Sequence, residues 1–127
     1  MKPDKSAHYL LGIRGEEYAR DYLIQQHYRI LHTHYTNPYG EIDIIAKEKK
    51  TLCFIEVKTR STAEYGIPAE AITPRKRKRI INGASAYLAA TDVSFKECRF
   101  DVIELSYEAG DNAFTDLVHI KDAFIVE

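Results

Sequence analysis

The apolar positions of this chain fall into helical and alternating patterns that set out an αβββαββ order. From about Ser6 to His27, Leu10, Ile13, Tyr18, Tyr22 and Leu23 recur at roughly helical spacing with Ala19 between them, while Arg14, Glu16, Glu17, Arg20 and Asp21 fill the polar side. A short strand is expected near Arg29–Tyr35, and Asn37-Pro38-Tyr39-Gly40 reads as a turn because Pro fixes φ and Gly permits positive φ. A hairpin over about Glu41–Ala46 and Leu52–Arg60 follows, then a loop with Gly66 and Pro68. Thr73-Pro74 is a helix start, with Thr as N-cap and Pro at the first helical position. This second helix is expected to run to about Ala90 with Ile80, Ala84, Tyr87 and Leu88 buried, Gly83 weakening it. Two further strands are expected over Arg99–Tyr107 and Phe114–Ile120, joined by the turn Glu108-Ala109-Gly110-Asp111-Asn112. Helices against the faces of a sheet are the natural packing for such an order.

A length of 127 residues points to a single domain over 1–127, large enough to bury a core without staples. The hydrophobic fraction of 45% and charged fraction of 29% are those of an ordinary globular protein. Near the N-terminus the longest apolar stretch is Tyr9-Leu10-Leu11, too short for a secretory signal, and no apolar run is long enough to span a membrane. A cytoplasmic location is the resulting expectation. Cys53 and Cys98 lack CxxC spacing and lie in apolar strand patterns, so both are expected to be buried thiols.

The hairpin carries the chemistry. With Glu48-Lys49-Lys50-Thr51 as its turn, stepping outward in register sets Asp43 opposite Glu56 and Glu41 opposite Lys58. Alternation puts Glu41 and Asp43 on one face, and Glu56 and Lys58 likewise. Directly opposed residues have Cβ atoms about 5 Å apart, where two carboxylates repel. A divalent cation between them would remove that repulsion, and the ammonium of Lys58 would suit an anionic substrate. The bland alternative is a solvated ion pair, but exposed ion pairs contribute only about 0–1 kcal/mol, a poor reason to gather these charges.

Asp43, with Glu56-Val57-Lys58 on the next strand, resembles the motif of the PD-(D/E)XK nuclease superfamily, although Ile42 stands where the proline of that name would be. Further segments widen the resemblance. Gly15-Glu16 with Ala19 and Tyr22-Leu23, then GEIDIIA, FIEVKTR, the helix beginning TPRKRKR, and Arg99-Phe100-Asp101-Val102-Ile103 resemble the YraN-like family of bacterial proteins, relatives of archaeal Holliday-junction resolvases. The resemblance implies an α/β fold: a restriction-endonuclease-like three-layer sandwich with a mixed central sheet flanked by helices. It implies that Asp43 and Glu56 hold Mg²⁺ or Mn²⁺, that Lys58 orients or helps deprotonate the attacking water, and that Glu16 completes the catalytic set. Glu17, one position on, and Glu41, on the face of Asp43, are the alternatives to Glu16. The implied activity is hydrolysis of phosphodiester bonds in branched or structured DNA, by a homodimer where two strands of a junction are cut. A non-catalytic nucleic-acid-binding or partner-docking module retaining the fold is the rival.

Net charge is −1, yet Arg75, Lys76, Arg77, Lys78 and Arg79 follow one another in the first turns of a helix. Cations there oppose the helix dipole at about 0.3–1 kcal/mol each, so a polyanionic partner makes the run easier to understand. With Arg60 they form the expected DNA-contacting set, touching phosphate rather than reading sequence, and Lys76 is expected nearest the catalytic residues. Other polar residues are read as structural. His32 and His34 share a strand face and are taken as surface or core histidines, and Asp101, between apolar neighbours, as a hydrogen-bonded structural carboxylate. Tyr35, Tyr39 and Tyr65 could stack on a base, though packing explains tyrosines more often.

Overall fold

The computed structural model describes residues 5–62 and 72–124, with side chains of the first helix described from Tyr9 onward. The expected loop with Gly66 and Pro68, and Tyr65 within it, lies outside the described residues. The elements are α1 (Lys5–Gln25), β1 (Arg29–Asn37), β2 (Gly40–Glu48), β3 (Thr51–Ser61), α2 (Pro74–Ala90), β4 (Glu97–Glu108) and β5 (Ala113–Ile120), in the αβββαββ order of the sequence pattern.

The strands form one mixed sheet in the order β1-β2-β3-β4-β5. Only β3 and β4 run parallel, because α2 lies between them in the chain and returns it to the same end of the sheet. The two helices pack on opposite faces. Ala19 and Leu23 of α1 meet Ile44, Ala46, Cys53, Ile55, Ile103 and Leu105 on one side. On the other, Ile80, Ala84 and Tyr87 of α2 meet Ile42, Ile45, Leu52, Phe54 and Phe100.

Helix α1 docks through two small residues and one leucine. Gly15, Ala19 and Leu23, one turn apart, are buried, whereas Leu10 and Tyr18, expected on the buried side, are 56% and 42% exposed. The helix stops with His27 in the left-handed region at φ 69°, as the Tyr28 N–H reaches back to the Leu23 carbonyl at 2.9 Å and the His27 N–H to that of Ile24 at 3.0 Å. These two bonds make a Schellman closure, a role that usually falls to glycine. Thr73 caps α2 as the sequence predicts, its side chain accepting from the Lys76 N–H at 3.2 Å, with Pro74 in the first turn.

Gly83 turns out to be a contact point rather than a flaw. A Cβ on Gly40 would overlap the Arg79 carbonyl oxygen, and one on Gly83 would lie 3.4 Å from the Gly40 carbonyl carbon, so α2 crosses the start of β2 backbone to backbone. Cys53 is buried as expected, but Cys98 is exposed, since β4 begins at Glu97 before it passes into the core. Asp101 is fully buried and fully used. It accepts from Arg99 Nε at 2.8 Å, Arg99 Nη2 at 3.0 Å and the Asp122 N–H at 3.0 Å, and lies 2.8 Å from His119 Nε2. Burial alone would raise its pKa, but the bonds from His119 and Arg99 bring it below the usual carboxylate value. Among the described residues no helix is long and apolar enough to cross a membrane.

Candidate active site

Strands β2 and β3 pair from Glu48–Thr51 out to Ile44–Ile55, in the register read from the hairpin turn, and the ladder goes no further. Two residues beyond Ile55, the backbone N–H of Val57 donates to a side chain instead, Asp43 Oδ2 at 2.8 Å. Simple alternation also fails here. Ile42 packs with Ile45 on the α2 face, while Ile44 and Ala46 face α1, so the strand changes face around Asp43. Across the ladder the same inversion occurs at His34, which has φ 52°. Glu41 is exposed and Asp43 half-buried, and the charge of Glu41 still acts on both Asp43 and Glu16.

Glu16 arrives from α1. Gly15 lets the helix press on β3, since a Cβ there would overlap Thr59 Oγ1, and the next residue is thereby held over the hairpin. Glu16 and Asp43 share a hydrogen bond, as do Asp43 and Glu56. All three carboxyls are pushed up by burial. Glu16 and Glu56 reach about 8, with the neighbouring charge of Asp43 as the second cause in each. Asp43 is also raised, although the Val57 N–H opposes the shift. Lys58 and Lys76 act on Glu56 in the opposite sense, favouring its ionised form. A cleft of about 240 Å³ opens onto the trio, with Gly12, Val57 and Thr59 in its wall.

This donor set suits a hard divalent cation. Mg²⁺ and Mn²⁺ take carboxylate oxygens plus water and phosphate, and like charges forced together are what a cation relieves. Among the described residues, no group of three or more His, Cys, Asp or Glu is arranged as a ready cage. The pKa values of all three carboxyls are raised, so a metal would have to displace protons held there.

The Uncharacterised protein family UPF0102 matches residues 15–105, a span that contains Glu16, Asp43, Glu56, Lys58 and the whole basic run. The chain belongs to the UPF0102 (YraN) family. A UPF0102 protein of Chlorobium phaeobacteroides is 47% identical over 122 residues, covering 94% of this chain and 96% of the relative. One of Geobacter sulfurreducens is 42% identical over 115 residues, covering 91% and 88%.

In this UPF0102 chain, Glu16 rather than Glu17 joins Asp43. Glu17 is exposed and lines a neighbouring cleft of about 270 Å³ with Tyr9, Ile13, Arg20 and His34. Arg75, Lys76, Arg77, Lys78 and Arg79 are all exposed on the first turns of α2, and Arg60 is exposed on β3. Of this run, Lys76 is the one whose charge registers on Glu56. The histidines part company: His32 packs edge-on to Tyr87 at 5.4 Å, while His34 Nδ1 lies 3.7 Å from Glu16 Oε2. Nothing in their spacing marks the face change between them, so a sequence reading misses His34 as a neighbour of the site. Tyr35 belongs to the core around Tyr87, and Tyr39 is 68% exposed in the turn between β1 and β2.

Proposed function

We propose that this UPF0102 chain is a metal-dependent DNA endonuclease of resolvase-like type, on a restriction-endonuclease-like sandwich, hydrolysing phosphodiester bonds in branched or structured DNA. The observation that carries the reading is the trio Glu16, Asp43 and Glu56. It is gathered from a helix and two strands where the hairpin ladder ends, with Lys58 and Lys76 acting on Glu56. Stability does not explain it, because three carboxyls held together in a half-buried cleft oppose folding once they ionise.

In this reading Asp43 and Glu56, with Glu16 beside them, hold Mg²⁺ or Mn²⁺. The bound ion would polarise the phosphoryl oxygen and lower the pKa of a coordinated water. Lys58 orients that water and offsets charge developing on the phosphate. The Val57 N–H fixes Asp43, so this ligand is positioned by backbone. Arg75–Arg79 and Arg60 hold flanking phosphates.

Purified protein should cut a labelled flap, nicked duplex, four-way junction or single strand with Mg²⁺ or Mn²⁺. Asp43→Ala and Glu56→Ala should each abolish cleavage, by at least about 100-fold if metal positioning is lost. Variants that cut like the parent would remove the assignment. The rival, a non-catalytic binding module, draws on the raised pKa values of the three carboxyls and on the lack of a ready cage among the described residues. Calorimetry separates the two: Mn²⁺ should bind the parent and fail to bind Asp43→Asn, whereas no binding even with DNA present favours the module.

A further inference from the structure

We infer that the cleft next to the carboxylate trio is a nucleobase subsite, so that the favoured DNA carries an unpaired nucleotide beside the scissile phosphate. This rests on the nuclease reading and specifies its substrate. The cleft, about 270 Å³, and the catalytic cleft, about 240 Å³, both have Glu16 in their walls. They are therefore adjoining rooms, and a nucleotide whose phosphate enters one can place its base in the other.

The lining selects a base over a second phosphate. Glu17 stands against the guanidinium of Arg20, which Asp21 also approaches at 3.5 Å, while Glu16, its proton held up to about 8, lies beside His34, so the walls lack the surplus of cations that a second phosphate would need. A neutral base suits the same groups, since its amino groups can donate to the carboxyl oxygens of Glu16 and Glu17 and its ring nitrogens and carbonyls can accept from Arg20. Tyr9 supplies a ring that is 66% exposed at the rim, and Ile13 an apolar floor. Aromatic rings bind bases by stacking and are tolerant of sequence. A paired base has both faces stacked and its Watson–Crick edge engaged, so only an unpaired or extruded base can enter.

The test compares Tyr9→Ala and Tyr9→Phe on an Asp43→Asn background, with fluorescence anisotropy on a single strand, a flap and a blunt duplex. Tyr9→Ala should weaken single-strand and flap binding by roughly five- to 150-fold, the effect of losing one stacked base, and leave duplex binding unchanged. Tyr9→Phe, which keeps the ring, should bind like the parent. An abasic residue next to the cleaved position should reproduce the loss, and Tyr9→Ala should add nothing to it. Equal loss on the duplex, no loss on the flap, or additive effects of the abasic residue and Tyr9→Ala each overturn the subsite. The parent reading is scored separately by Mn²⁺ calorimetry and wild-type cleavage. An enzyme that cuts normally with Tyr9→Ala removes the subsite alone, whereas a protein that neither binds nor cuts nucleic acid removes both.

Discussion

At the scale of the residue, the trio has a cost that pH exposes. Glu16 and Glu56 hold their protons up to about 8, against an ordinary 4.5. Between those values the folded protein carries protons that the unfolded chain has released. Their stabilising contribution is therefore complete below pH about 4.5 and is lost as pH rises towards 8. Without divalent cations, thermal unfolding followed from pH 5 to 8 should show Tm falling, and Glu56→Gln should flatten the fall. A parent Tm that climbs across that range, with the variant parallel to it, would contradict the assignment. Asp101 behaves in the opposite way, being held ionised by Arg99 and His119. Asp101→Ala would leave Arg99 with only Glu48 and Tyr28 and His119 with only Tyr22, and should cost up to about 3–5 kcal/mol in denaturant titration.

At the scale of the element, α2 combines a cap, a basic surface and a glycine contact. Replacing Arg75, Lys76 and Arg77 by Ala should weaken binding about equally across DNA sequences. It should also flatten the slope of log K against log salt by up to roughly 0.9 per lost phosphate contact. An unchanged slope would show that these exposed cations are only a solvated face. Gly40→Ala should instead act on the fold, forcing β2 and α2 apart at a cost of roughly 1–3 kcal/mol by thermal or chemical unfolding. The cap and the hairpin register are legible in the sequence because they depend on neighbours: Thr73-Pro74 and the turn Glu48–Thr51 each carry their own geometry. The meeting of Gly40 with Gly83 is not, since each glycine alone reads as a turn or a weak helix position.

At the scale of the molecule, the element order follows from the alternating and helical patterns, while the mixed sheet, with β4 parallel to β3, is what the family resemblance implies. The candidate site is legible as far as Asp43 and Glu56, which lie one step beyond the last paired rung of the hairpin, and Glu16, which follows the family pattern. The face inversion at His34 and Asp43 is hidden, because a positive φ at a non-glycine residue leaves no compositional trace. So is the docking of α1 through Gly15, where the longer apolar residues Leu10 and Tyr18 point attention to the wrong stripe.

The backbone crossing of α2 over the start of β2 bears on where such an enzyme would cut. Asp43 lies three residues past Gly40, and Arg79, whose carbonyl meets Gly40, is one turn from Lys76. The Asn37 side chain donates to the Gly83 carbonyl at 3.4 Å beside this crossing. If α2 grips phosphate and Asp43 serves hydrolysis, the crossing ties the two at a set separation. Under the proposed function, surface changes on α2 would alter how tightly DNA is held but not how far from the gripped phosphates the break falls. The products should carry the same offset from a strand end or branch point whatever the sequence between.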